Sequence, residues 1–321
     1  MGPESSSEPM ILKHVLKSLT FSGETREKEL IGRLGKLASR KVLGGKLVAY
    51  LRDNPNLAEK HFVDELDECG DALRFRRFED VSLPIKLSGL IACNKFWLCP
   101  LCASRRASRH VQKLEQKLDQ AGDDLGGHFY FFTLTSRNSP DLKSHVEKVW
   151  KCWSQLVKNR KRATYVSQWW HGGFARMEIK RGSGSGLWHS HLHGIVHSSS
   201  GNQDRQFRRL RKEWANLLGQ ETANIHFRPM LMDELGRMRI VEAVKYAVKF
   251  DGEKPEETWH VYKTFENSRI HMLRTFGSIY GKLPDELTDD LTGDERLRFF
   301  DQWYRFIAGK YYEREYERIS A

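Results

Sequence analysis

The hydrophobic and polar positions of this chain change period along its length, and the changes mark out elements. Phe129-Tyr130-Phe131-Phe132-Thr133-Leu134-Thr135 is a compact aromatic and β-branched run, which predicts a strand. Ser139-Pro140 then supplies an N-cap and a proline for the first helical position. Leu142, Val146, Val149, Trp153 and Leu156 follow at helical spacing. A second strand is predicted over 174–180, and the turn signal Gly182-Ser183-Gly184-Ser185-Gly186 joins it as a hairpin to a third that ends in Gly194-Ile195-Val196. Phe207, Leu210, Trp214 and Leu217 give one side of a helix over 203–218, and Ile225 to Arg228 reads as a further strand. The pattern predicts an α+β fold, a central antiparallel sheet with helices packed on it.

Outside this core, residues 11 to about 60 read as short helices, and Val111 to Leu118 as a basic helix leaving a cysteine-bearing module. The tail from Asp294 to Ile319, rich in aromatics, is expected to be helical. The expected division is an N-terminal helical region (1–60), a cysteine-rich module with a basic helix (61–120), a catalytic domain (121–281) and a helical tail (282–321).

The third strand carries the first candidate chemistry. In Trp188-His189-Ser190-His191-Leu192-His193 three imidazoles stand at i, i+2 and i+4. The two-residue period of a strand sends all three to one face and Ser190 and Leu192 to the other, a ready source of metal ligands. A second constellation lies in 239–249. Val241, Val244 and Val248 fall on one side of a helix, whereas Glu242, Tyr246 and Lys249 share the opposite side. A phenol can attack a phosphodiester, but at a pKa of about 10 it is mostly neutral at pH 7. A divalent cation held by imidazoles and a carboxylate would supply the missing polarisation of the phosphate.

Charge narrows the class of partner. Lys and Arg number 53 against 42 acidic residues, a net charge of +11, interspersed with 9 Trp, 10 Tyr and 17 Phe. Cations for phosphates and rings for bases suit nucleic acid. No apolar run approaches the length that spans a bilayer, and Met1 to Pro9 lacks the basic and apolar regions of a secretory signal, so a cytoplasmic location is expected. Cys69, Cys93, Cys99 and Cys102 offer four thiols, the last two as Cys-Pro-Leu-Cys, half of a zinc knuckle. Structural zinc is the expectation, and Cys152 on the predicted helix is a packed thiol.

Taken in order, Phe131 to Thr135, His191-Leu192-His193 within the wider His189 to His193 run, and Val244 to Lys249 with the Glu-x-x-x-Tyr spacing of Glu242 and Tyr246 resemble the motifs of the rolling-circle replication initiators of small plasmids, in the HUH endonuclease superfamily. The spacing is similar to the single-tyrosine branch typified by staphylococcal plasmids, and Leu98 to Cys102 resembles the Leu-Cys-Pro-x-Cys segment of that group. The resemblance covers Cys69 to about Gly281. It implies an HUH fold, a strand-specific nick at an origin hairpin, a 5′-phosphotyrosine on Tyr246 and a free 3′-OH that primes synthesis. His191 and His193 would ligate Mg²⁺ or Mn²⁺. Glu178 is preferred as third ligand over His189, since hard cations favour oxygen. Glu242 would activate the late nucleophile, and Lys245, Lys249, Arg105 and Arg106 would contact DNA. Single-stranded and hairpin origin DNA, a host helicase and a polymerase are the implied partners, with homodimerisation a further expectation. A transposase or mobilisation relaxase with the same core, and a non-catalytic zinc-containing DNA-binding protein, are the competing readings.

Overall fold

The computed structural model describes residues 23–81, 83, 85–158, 165–182, 184–230, 254–281 and 298–314. Among these the helices are α1 (Gly23–Asp53), α2 (Lys60–Glu68), α3 (Pro100–Leu125), α4 (Leu142–Lys158), α5 (Gln203–Leu218) and α6 (Pro255–Phe265). The strands are β1 (Ala72–Phe78), β2 (Lys86–Leu90), β3 (His128–Thr135), β4 (Trp170–Arg181), β5 (Trp188–Ser198), β6 (Ile225–Pro229), β7 (Leu273–Gly277), β8 (Phe299–Ile307) and β9 (Lys310–Arg314). They build an α+β protein with two antiparallel sheets in two compact units. No helix among the described residues is long and apolar enough to cross a membrane.

The first unit holds a four-stranded sheet of order β2-β1-β8-β9. Leu30 from the first half of α1 packs with Leu73, Phe75, Ile85 and Tyr304 to form its core. This sheet corrects the expected helical tail. Residues 299–314 form two strands, with β8 paired to β1 from Ala72↔Arg305 to Phe78↔Phe299. The physical reason is that aromatic side chains gain from cross-strand contacts that local periodicity does not register. Tyr304 meets Phe75 edge-on at 5.8 Å, and Arg76 lies 3.8 Å over the ring of Phe299. Ala308 and Gly309, both at positive φ (47° and 86°), make the two-residue turn into β9 that a right-twisted hairpin needs. The N-terminal region is also simpler than expected: 23–53 is one continuous helix rather than several short ones.

The second unit is built on a five-stranded sheet of order β6-β3-β5-β4-β7. Leu134, Phe132 and Tyr130 of β3, Met177 of β4 and Leu192 of β5 turn to one face, where α4, α5 and α6 cover them with residues such as Trp153, Trp214 and Phe265. Phe129, Phe131, Phe174 and Ile195 turn to the other face, where Leu114, Leu118 and Ala121 of α3 cover them. Only part of this second face is covered by those apolar contacts. Gly194 is required at its place in β5, because a Cβ there would stand 2.1 Å from the Phe174 carbonyl oxygen and 2.4 Å from the Phe132 ring. One detail differs from the sequence expectation. The Asp141 carboxylate, not Ser139, caps α4 by accepting from the Ser144 N–H at 3.0 Å, and Ser139 instead bridges to Trp188.

Candidate metal centres

The alternation expected of the histidine strand is present in β5. Ser190 and Leu192 are buried, while His189, His191 and His193 are half-buried on the opposite face. Register then decides which side chains they meet. Thr135, His191 and Glu178 form one rung across β3, β5 and β4, and Thr133, His193 and Arg176 form the rung two residues away on the same face. A ligand atom from each of Glu178, His191 and His193 lies within 4.8 Å of the other two. His193 Nε2 stands 2.7 Å from Glu178 Oε2, and its Nδ1 is 3.0 Å from the Thr133 hydroxyl oxygen.

These contacts suit a divalent cation. A ring whose Nδ1–H donates to Thr133 Oγ1 turns its Nε2 lone pair towards the carboxylate, the orientation a ligand needs. Burial, reinforced by the neighbouring His189, pushes His191 down to about 4, so at neutral pH it is an uncharged imidazole with a lone pair to give. Its Nδ1 is buried with no hydrogen-bond partner. His189 is engaged elsewhere, its Nδ1 2.6 Å from Asn138 Oδ1 and its ring edge-on to His191 at 4.3 Å. Two imidazoles and a carboxylate offer three ligands of mixed hardness and leave further positions to water or a phosphate oxygen.

The four cysteines form a second cluster. Cys69 closes α2, and Cys93, Cys99 and Cys102 come from the loop and first turn that open α3. Their sulfurs stand 3.5 Å (Cys99 to Cys69), 3.6 Å (Cys69 to Cys102) and 3.7 Å (Cys93 to Cys102) apart, and none is in a disulfide. A tetrahedron with zinc–sulfur bonds of about 2.3 Å has edges of about 3.8 Å, so the thiols already sit near thiolate spacing around zinc. Asn94 takes a left-handed conformation (φ 56°), Cys99 N–H donates to the Lys95 carbonyl at 2.7 Å, and Pro100 fills the first helical position. This turn folds the Cys-Pro-Leu-Cys segment back on itself. Hydrogen bonds among the four packed thiols raise Cys99 and Cys93 and lower Cys102, and Cys69 is lowered too.

Arg105, half-buried, and Arg106, exposed, lie in the first half of α3, otherwise largely buried, with the Arg106 guanidinium 3.6 Å over the ring of Phe96. Glu242, Lys245, Tyr246 and Lys249 lie outside the described residues. Three residues beside the centre are not among the candidate site residues of the sequence: Asn138 and Arg176, which lie in no motif, and Thr133, which lies inside the Phe131 to Thr135 motif without a role of its own assigned to it. Thr133 and Arg176 share the His193 rung, which alternation alone suggests only once the register of β3, β4 and β5 is known.

A family model described as "Replication protein" matches residues 85–296, about two thirds of the chain and all of the elements that build both clusters except Cys69 and the helix before it. The chain belongs to the Replication protein family. It is 27% identical over 225 residues to a "Protein rep" of Streptococcus pneumoniae serotype 2 (strain D39 / NCTC 7466), covering 65% of this chain and 66% of that one. It is also 25% identical over 196 residues to a "Protein rep" of Bacillus amyloliquefaciens, covering 60% and 53%. A third "Protein rep", from Bacillus sp, is 28% identical over 144 residues, 44% of each chain. The matched part thus spans between 44% and 66% of the length of these relatives. No solved structure matches.

Proposed function

We propose that this Replication protein family member initiates rolling-circle replication as an HUH endonuclease, nicking one strand at a plasmid origin. The Tyr246 phenol oxygen attacks the scissile phosphorus, a new O–P bond forms, the phenolic proton passes to a base, and the bond to the 3′ oxygen breaks, that oxygen leaving with the electron pair and taking up a proton from water. The products are a 5′-phosphotyrosine and a 3′-OH that primes a host polymerase after a host helicase is recruited. The observation that carries this reading is the convergence of Glu178, His191 and His193 within 4.8 Å on one sheet face in a chain of this family.

Glu178, His191 and His193 would hold Mg²⁺ or Mn²⁺, which supplies Lewis-acid polarisation of the phosphate. The protein's own part is orientation: Thr133 fixes the His193 ring, and Asn138 keeps the His189 ring against the His191 edge. Glu242, four residues before Tyr246 in the sequence, would deprotonate the nucleophile of the terminating step. Lys245, Lys249, Arg105 and Arg106 would bind phosphates. Zinc on Cys69, Cys93, Cys99 and Cys102 would be structural. The family match supports an initiator over the transposase and relaxase readings, which share the same core.

The test is incubation of the protein with a library of single-stranded oligonucleotides and Mn²⁺, followed by mass spectrometry for a tyrosine-linked adduct. An adduct on Tyr246 that disappears in Tyr246→Phe is the expected result. An undiminished adduct in that variant, or none in the native protein, overturns the reading.

A further inference from the structure

Arg176 stands on the same face of the sheet as the Glu178, His191 and His193 cluster, directly opposite His193 in register. It lies in the middle of the sheet, between β5 and β7, and only 8% of it is exposed. Its Nε is buried without a hydrogen-bond partner, and no carboxylate among the described residues forms an ion pair with it. Glu178, two residues along the strand on the same face, is turned to His193.

The surroundings deepen the imbalance instead of relieving it. Arg106 and His110, successive turns of α3, both lie close enough to interact electrostatically with Arg176 or with each other, and His110 Nδ1 is likewise buried without a partner. Lys113 adds to the positive field on His110. A guanidinium taken from water beside a second guanidinium, with no ion-pair partner among the described residues, is costly to keep, and an anion arriving beside it would offset that cost. A planar guanidinium offers a fork of donors that matches two oxygens of a phosphodiester.

We propose that Arg176, with Arg106 at the rim above it, binds a phosphodiester of the single-stranded substrate next to the one held at the Glu178, His191 and His193 centre. Arg176 and Glu178 are two residues apart on a strand, about 7 Å, a step comparable to that between neighbouring phosphates of an extended single strand. This rests on the nicking function above for which phosphate is meant, but not for the existence of the site. Arg176 is a positioning residue: it fixes the register of the strand so that the scissile phosphate lies over the centre.

The test is equilibrium binding of the full-length protein to a fluorescent oligothymidylate, without added divalent cation, across a range of salt concentrations. Arg176→Gln is expected to weaken binding about tenfold, the scale of one charge-assisted contact, and to reduce the slope of log K against log salt by about 0.7, the value for one phosphate on a single strand. Arg176→Lys should keep the slope. An otherwise identical oligonucleotide with an uncharged methylphosphonate backbone should bind the native and Arg176→Gln proteins equally. Thermal unfolding of Arg176→Met should be unchanged or shifted upward, because a buried cation without an internal partner contributes nothing to the fold.

An unchanged slope in Arg176→Gln overturns the proposal, as does a clear fall in the melting temperature of Arg176→Met, which would show that the cation serves a partner within the chain. Relief of the Arg176 dependence by inorganic phosphate at constant ionic strength would reassign the pocket to free phosphate. No step of this test requires cleavage. A protein that passes it and never forms a tyrosine adduct would leave the phosphate site standing and remove the nickase reading.

Discussion

The two candidate metal centres of this unit are built on opposite principles. Cys69, Cys99 and Cys102 are buried, Cys93 is half-buried, and the four sulfurs complete one another's surroundings. Glu178, His191 and His193 are all half-buried and supply three ligands. A closed set of four soft donors suits an ion that holds elements together, whereas an open set of three suits one that must also meet a substrate. Position agrees with composition. The cysteines join the end of α2 to the start of α3, beside the contacts of Lys95 with Glu65 and Phe62 of α2, and the second set stands on interior strands already fixed by their ladders.

That contrast is broken most directly at the cysteines. Cys99→Ser, or chelation of the native protein, is expected to unfold the segment from α2 through α3, a loss of several kcal/mol because ion binding and local folding are one equilibrium there. Circular dichroism and elemental analysis check it, with about one zinc per chain in the native protein. Next in size, His191→Ala or Glu178→Gln should lower nicking at least a hundredfold and abolish its response to Mn²⁺ while thermal unfolding barely moves. A melting temperature that falls as far in these variants as in Cys99→Ser would erase the distinction between the two centres.

A finer probe is Thr133→Val, which keeps shape and removes only the hydroxyl that orients His193. Titration of nicking against Mn²⁺ should show a 10- to 100-fold weaker apparent affinity, with the rate restored at saturation. The smallest effect concerns acid stability. Burial, with Arg176 and Arg106 nearby, holds His110 down to about 4, below the ordinary imidazole value of 6.5. Its neutral form is the folded one, so its contribution is complete above pH 6.5 and is lost as pH falls towards 4, where the unfolded chain takes up the proton first. His110→Gln should therefore flatten the loss of stability between pH 6.5 and 4 by roughly 2 kcal/mol, read from denaturant titrations at several pH values.

Much of the second unit was legible because its signals are local. The two-residue period of β5, the aromatic run of β3, the Gly/Ser turn after β4 and the apolar side of α5 each lie within a few residues. The cysteine spacing likewise needed only its own segment. The tail was misread because what makes it a strand lies far away: Arg76 bonds Asp301 across 225 residues of chain, and aromatic residues at 299–306 satisfy either period. Arg176 and Thr133 escaped for a related reason. Each sits in a strand that was foreseen, yet each matters only through its neighbour on another strand, and register is set by three-dimensional pairing. Asn138 sits in a loop, where no period applies, and it finds His189 only because the loop after β3 returns beside β5.

The inner stripe of α3 has a mechanical consequence. Cys102, Arg106, His110, Leu114 and Leu118 recur every four residues, about 6 Å apart along the axis. Sulfur contacts clamp the helix at its beginning, and Leu114 and Leu118 clamp it further along against the sheet. A rod gripped at two points cannot roll, so the angle at which Arg106 and His110 address Arg176 is dictated by cysteines that touch none of them. The thiol cluster therefore acts as the tuning peg of a string played elsewhere, and a twist of one residue at Cys102 would turn the cationic midsection by about 100° away from the sheet.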